Sequence, residues 1–214
     1  MPFFLTGEHS DFPPVEFANE DGLLAIGGEL SFDRLVNAYQ KGIFPWNNAG
    51  EPVCWYCPDP RFILFPSSLK VSHSMKAIIK NKKFDFKIDQ AFSDVVKNCR
   101  ITKRQHQDGT WITDEIENAY TMLFNKGLAH SAEAWLDGKL VGGLYGVQLG
   151  KIFFGESMFA FESNASKFAF TQYLRAMKNK IELVDCQIYT SHLESLGAEY
   201  ITRKKFTGFL EKLI

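Results

Sequence analysis

Ala129-His130-Ser131-Ala132-Glu133-Ala134-Trp135-Leu136 is followed by Asp137-Gly138 and then by Lys139-Leu140-Val141-Gly142-Gly143-Leu144-Tyr145-Gly146-Val147-Gln148. Asp-Gly between alternating runs is a strong hairpin signal, because its two residues tolerate the positive φ that a tight turn needs. A second turn at Leu149-Gly150 leads into Phe153-Phe154-Gly155-Glu156-Ser157-Met158-Phe159. These segments predict a meander of antiparallel strands.

Working outward, the pattern switches to helical spacing on both sides. Upstream, Met75, Ile78 and Ile79 suit a short helix, and Phe84, Phe86 and Ile88 a strand. Phe92, Val95, Val96 and Cys99 suit a second helix, and Thr113 can cap a third that Gly127 stops. Downstream come a helix over roughly 164–178, a strand around Asp185, a short helix ending at Gly197, and an amphipathic helix with Phe206, Phe209, Leu210 and Leu213. The first sixty or so residues read as a small turn-rich unit. Ser31 can cap a helix carrying Phe32, Leu35, Val36 and Tyr39, with Gly42 at its end. The prolines around Asp59 mark a turn or junction. The expectation is an α+β fold with a small N-terminal domain over 1–61 and a catalytic domain over 62–214. The order of elements in the second domain looks like the fold that N-acetyltransferases use.

Two strands carry polar groups in telling places. Alternation puts Glu156 on one face with Ile152, Phe154 and Met158. A lone carboxylate there is costly unless paired. Either a structural Arg or Lys neutralises it, or its partner is a cationic substrate. In Leu183-Val184-Asp185-Cys186-Gln187-Ile188, the apolar Val184, Cys186 and Ile188 share one face. Asp185 and Gln187 share the other, roughly 6–7 Å apart. A solvated face is the plain reading. A carboxylate beside a carboxamide also suits gentle proton handling.

The chain has 214 residues, 45% hydrophobic and 14% aromatic, with 20 Phe, enough for a substantial core. Met1 to Phe12 carries acids and no long apolar run, so a secretory leader is not expected. No apolar run approaches a membrane span. Cys54, Cys57, Cys99 and Cys186 are expected as reduced thiols of a cytoplasmic protein. Cys54 and Cys57 have the spacing of half a zinc site, but no second Cys or His pair completes it, so no metal is expected. The five His show no nucleophile–base spacing.

The net charge is −1, yet Lys70 to Arg104 holds ten Lys or Arg against three acids. This asymmetry points to a polyanion-facing patch centred on Lys80, Lys82, Lys83, Arg100 and Arg104, or to a solvated face.

Several segments, taken in order, resemble the leucyl/phenylalanyl-tRNA–protein transferase family. They are Gly22-Leu-Leu-Ala-Ile-Gly-Gly-Glu-Leu-Ser31, Ala38-Tyr-Gln-Lys-Gly-Ile-Phe-Pro-Trp46, Pro58-Asp-Pro-Arg61, Gly109-Thr-Trp-Ile-Thr113, Gly142-Gly-Leu-Tyr-Gly146, Gly155-Glu-Ser-Met158, Asn164-Ala-Ser-Lys167, Asp185-Cys-Gln187 and Ser195-Leu-Gly-Ala198. Each is weak alone; their order gives them weight. The resemblance implies transfer of Leu or Phe, sometimes Met, from aminoacyl-tRNA to proteins with N-terminal Arg or Lys, in the N-degron pathway of protein degradation. It implies Asp185 and Gln187 at the proton-handling centre and Glu156 recognising the basic acceptor. It implies Tyr39, Trp46 and Trp111 as aromatic contacts for the terminal adenosine and substrate, with Ser157 beside Glu156 and Met158 walling the amino-acid pocket. No cofactor, no membrane partner and a monomer are expected. The family's usual Trp-Trp-Ser before Pro58 is here Trp55-Tyr56-Cys57.

The chemistry makes sense without the name. An aminoacyl ester is already activated, so neither ATP nor metal is required. The runner-up, an acetyl-CoA-dependent N-acetyltransferase, needs a glycine-rich pyrophosphate loop after the Glu156 strand. The stretch from Phe159 to Ala165 has no glycine. A non-catalytic RNA- or peptide-binding module would explain the basic segment but not Glu156 or the Asp185–Gln187 pair.

Overall fold

The computed structural model describes residues 1–6, 11–46, 50–102 and 110–214. The N-terminal part forms strands β1 (Phe3–Leu5) and β2 (Leu23–Gly27), helix α1 (Phe32–Gln40), and strands β3 (Phe44–Pro45) and β4 (Cys54–Tyr56). The strands make one sheet in the order β1-β2-β4-β3. Sequence patterning predicts turns and one helix here but no strands, because strands of two to five residues hold too few alternations to register. Helix α1 starts where expected. Ser31 accepts a hydrogen bond from the Arg34 N–H and satisfies one of the first-turn donors.

The remaining elements are β5 (Arg61–Leu64), α2 (His73–Lys80), β6 (Asp85–Ile88), α3 (Phe92–Ile101), α4 (Asp114–Asn125), β7 (Ala129–Leu136), β8 (Lys139–Leu149), β9 (Ile152–Ala160), α5 (Ala165–Ala176), β10 (Leu183–Gln187), α6 (Ser191–Ser195), β11 (Glu199–Ile201) and α7 (Arg203–Leu213). The larger sheet runs β11-β5-β10-β9-β8-β7-β6. The β7–β8–β9 meander is present, with Asp137 and Gly138 both at positive φ in its first turn. Arg61, the last residue of the expected N-terminal part, is the first residue of β5 in this sheet.

Each face of the large sheet carries its own core. On one side, Phe92, Val95 and Val96 of α3, Ile116 and Tyr120 of α4, and Phe206 of α7 pack with Leu24, Leu35 and Trp55 of the N-terminal part. On the other, Met75 of α2 and Phe168, Phe170 and Tyr173 of α5 pack on Phe153 and Val184. The N-terminal sheet thus completes the first core.

Among the described residues, β9 and β10 are the one parallel pair of the large sheet, and they pair briefly: Leu183 with Ile152, Val184 with Phe153, Asp185 with Phe154. Beyond that point they part, because both strands are irregular there. Tyr145 pairs with Ser157 but Gly146 pairs with Gly155, so Glu156 is an extra residue in β9. Asp185 pairs with Ile63 and Gln187 with Phe62, so Cys186 is an extra residue in β10. A bulge bends its strand and re-aims the following side chains. The first bulge depends on Gly146, where a Cβ would come within 2.2 Å of the Phe154 carbonyl oxygen.

Candidate active site

The bulge at Glu156 overturns simple alternation. Ile152 and Phe154 face the first core and Met158 faces the second, so the expected single face ends at the bulge. The Glu156 carboxylate reaches hydroxyls from two helices. Tyr39 of α1 donates to Oε1 at 2.8 Å and Tyr120 of α4 to Oε2 at 2.7 Å. The two hydroxyl oxygens are themselves 2.6 Å apart. Gln187 adds a third donor, its Nε2 lying 3.0 Å from Oε1. Burial pushes the Glu156 carboxyl up to about 7, and the nearby Asp185 charge adds to the rise. The bonds from Tyr120, Tyr39 and Gln187 pull the other way.

Asp185 is fully buried, and its partner is an arginine. Arg61 donates from Nε to Oδ1 at 2.8 Å and from Nη2 to Oδ2 at 2.6 Å. Its guanidinium lies between the rings of Phe44, 4.9 Å away, and Phe206, 4.6 Å away. Oδ1 of Asp185 also accepts the backbone N–H of Gln187 at 2.9 Å. That bond holds Gln187 at φ +63°, a left-handed conformation unusual for a residue with a side chain. Asp185 and Gln187 are therefore linked, but through the Gln187 backbone. The Gln187 side chain goes to Glu156.

A cleft of about 500 Å³ opens where β9 and β10 part. Glu156, Ser157, Met158, Asp185 and Gln187 all line it. Trp46, about one-third exposed, and the buried Trp111 also line it. Tyr39, expected among the aromatic substrate contacts, does not line the cleft and is fully buried, packed against Phe154. Its hydroxyl touches Glu156 instead.

The described residues of the basic segment do not form one patch. Lys80 ends α2 and Lys82 and Lys83 follow it, while Arg100 lies in the last turn of α3 on the opposite face of the sheet. Arg100 is engaged by Asp114 and Glu117. Arg104 lies outside the described residues.

Residues 63–211 match the family model described as leucyl/phenylalanyl-tRNA protein transferase, and residues 28–59 match that of its N-terminal domain. A protein of Syntrophus aciditrophicus named leucyl/phenylalanyl-tRNA--protein transferase is 50% identical over 213 residues, spanning 99% of this chain and 89% of that protein. The chain belongs to the leucyl/phenylalanyl-tRNA–protein transferase family. A relative of the same name in Christiangramia forsetii is 54% identical, over 93% of this transferase and 95% of its own length. Among solved structures, a conserved protein of unknown function from Bacteroides thetaiotaomicron covers 66% of this chain and 58% of its own, with 13% identity and a TM-score of 0.48.

In this transferase the sequence motifs converge from distant places. Arg61 and Tyr120 escaped sequence reasoning as site residues. Arg61 closes the Pro58-Asp59-Pro60-Arg61 segment, and its pairing with Asp185 spans 124 positions. Tyr120 gave no signal beyond its place on the buried side of α4. Among the described residues no group of three or more His, Cys, Asp or Glu could hold a metal ion, and no helix is long and apolar enough to cross a membrane.

Proposed function

We propose that the cleft joins Leu or Phe, and in some cases Met, from aminoacyl-tRNA to the N-terminal Arg or Lys of an acceptor protein. Glu156 faces the cationic side chain of the acceptor. Trp46 and Trp111 contact the terminal adenosine, and Ser157 and Met158 border the pocket for the transferred side chain. Tyr39 acts by holding Glu156. The enzyme works in the cytoplasm as a monomer, without cofactor, and its product is marked for degradation through the N-degron pathway.

The observation that carries this reading is the placement of Glu156 and Gln187 together in the cleft, 3.0 Å apart, on a frame fixed by Arg61 and Asp185. The acceptor α-amine, with a pKa of about 7.7–8.0, has a usable neutral fraction. Its nitrogen attacks the ester carbonyl carbon. The C–N bond forms, the ester C–O bond breaks, and the amine proton ends on the departing ribose oxygen. The Gln187 Nε2 is spent on Glu156, so its amide oxygen is the atom that accepts from the attacking amine. Positioning supplies much of the acceleration. An apolar pocket accepts Leu and Phe together because such pockets discriminate by only about 1–3 kcal/mol per methylene.

The direct test is transfer of labelled Leu from Leu-tRNA to a peptide beginning with Arg, without ATP, CoA or added metal. Labelled product is expected with N-terminal Arg or Lys and not with N-terminal Ala. Equal transfer to all three peptides contradicts the acceptor assignment. Acetyl transfer from acetyl-CoA, with none from Leu-tRNA, contradicts the donor.

A further inference from the structure

The oxygens of Tyr39, Tyr120 and Glu156 make three mutual contacts, of 2.6, 2.7 and 2.8 Å. Each is a hydrogen-bond distance and needs one proton between its oxygens. The two hydroxyls supply two protons. With Glu156 ionised, one contact sets lone pair against lone pair. With Glu156 protonated, the count closes. In that form the Tyr120 contact reverses: the carboxyl O–H at Oε2 donates to Tyr120, Tyr120 donates to Tyr39, and Tyr39 donates to Oε1. Oε1 is then the carbonyl oxygen, free to accept the Gln187 amide as well.

We infer that Glu156 carries a proton in the free transferase, held in a closed ring with Tyr39 and Tyr120, and that binding of the acceptor's cation expels this proton to solvent. The inference rests on the acceptor assignment made above. A neutral carboxyl offers a guanidinium only a dipole, whereas an ionised one offers a charge-assisted bond. Arrival of the cation therefore favours the ionised form and opens the ring.

The surroundings agree. From α1 and α4 come the two tyrosine hydroxyls, both of which burial keeps protonated. From β8 comes Tyr145, ring to ring with Tyr120. From β10 come Gln187 and the negative Asp185, whose charge Arg61 of β5 matches. Arg61 bonds Asp185, and its charge also reaches Glu156 through space, but no cation is bonded to Glu156 among the described residues.

Infrared difference spectroscopy tests this on the whole enzyme, with Glu156→Gln as the control that assigns the protonated-carboxyl band. The free wild-type enzyme should show this band at about pH 6 and lose it as pH rises past about 7. Adding a peptide with N-terminal Arg at about pH 6, where its α-amine does not titrate, should abolish the band. Apparent affinity for that peptide should fall up to tenfold per pH unit below the midpoint, because only the ionised fraction binds the cation. Absence of the band from the free enzyme overturns the ring. A band that survives saturation with the Arg peptide overturns the expulsion. The acceptor assignment is judged separately, by the charge preference of Glu156→Gln.

Discussion

Arg61 and Asp185 form a fully buried two-pronged ion pair at the point where β9 and β10 separate. It joins β5 to β10 and anchors the backbone of Gln187 through one carboxylate oxygen. Removing one partner of a buried pair leaves an uncompensated charge, at a cost of about 3–5 kcal/mol. Arg61→Met should therefore lower the urea midpoint sharply. Arg61→Lys keeps the charge but loses the fork and the packing between Phe44 and Phe206. It should recover only part of the stability, and its single-turnover rate should stay low. A wild-type rate in Arg61→Lys would show that the pair is purely architectural.

Asp185→Asn keeps shape and removes the charge facing Arg61. It should slow the chemical step at saturating peptide, with a smaller change in KM. Single-turnover rates separate binding from chemistry. A folded Asp185→Asn enzyme with the wild-type single-turnover rate would remove Asp185 from the mechanism.

Glu156 also sets a pH dependence of stability. Its folded value is raised from 4.5 to about 7, so folding favours its protonated form. The contribution is full below about pH 4.5 and is lost as pH rises through about 7. At 1.36 kcal/mol per pKa unit the span is at most about 3 kcal/mol, and less because the carboxyl borders the cleft. Glu156→Gln cannot titrate, so its stability relative to wild type should be greater at about pH 8 than at about pH 5. Urea midpoints at the two pH values measure this, and a constant difference would contradict the raised value.

Nucleic-acid contact should divide along the two faces of the sheet. Lys80 at the end of α2 and Lys82 and Lys83 just after it are exposed, with Lys83 3.8 Å from the Glu162 carboxylate. Neutralising all three should weaken tRNA binding and flatten its salt slope by up to about 0.9 per lost phosphate contact. Arg100→Gln should change neither, since Asp114 and Glu117 already engage that guanidinium. The opposite pattern in filter binding would place the tRNA on the α3 side.

Glu133 offers a structural contrast. It is buried and accepts from the Gln90 and Ala91 N–H groups, the Ser131 hydroxyl and the Trp135 indole. Glu133→Ala strands these donors at about 1–3 kcal/mol for each that water cannot reach. Stability should fall by at least about 2 kcal/mol, while kcat below the melting transition stays near wild type. A large loss of kcat in folded protein would tie Glu133 to the chemistry.

The elements that were legible in the sequence carry their own local signals. Asp137-Gly138 marked the β7–β8 hairpin, and Ser31 and Thr113 cap α1 and α4 as their side chains predict. Strands β1 to β5 and β11 were not legible. They are short, and their pairing is set by partners elsewhere in the chain. The candidate site shows the same division. Glu156 stood out as a carboxylate in an apolar strand, but the bulge that aims it depends on a register shift opposite Tyr145 and Gly146. Its tyrosine partners come from 117 and 36 positions away, and no local pattern encodes such distances.

The most direct measurement compares peptides that begin with arginine and with citrulline, its neutral near-isostere, as acceptors of Leu from Leu-tRNA. If Glu156 reads the acceptor's charge, wild-type enzyme should favour arginine by tenfold or more in kcat/KM, about 1.4 kcal/mol. In Glu156→Gln that ratio should collapse toward one, through a rise in KM for the arginine peptide. An arginine-to-citrulline ratio unchanged by Glu156→Gln would contradict the account.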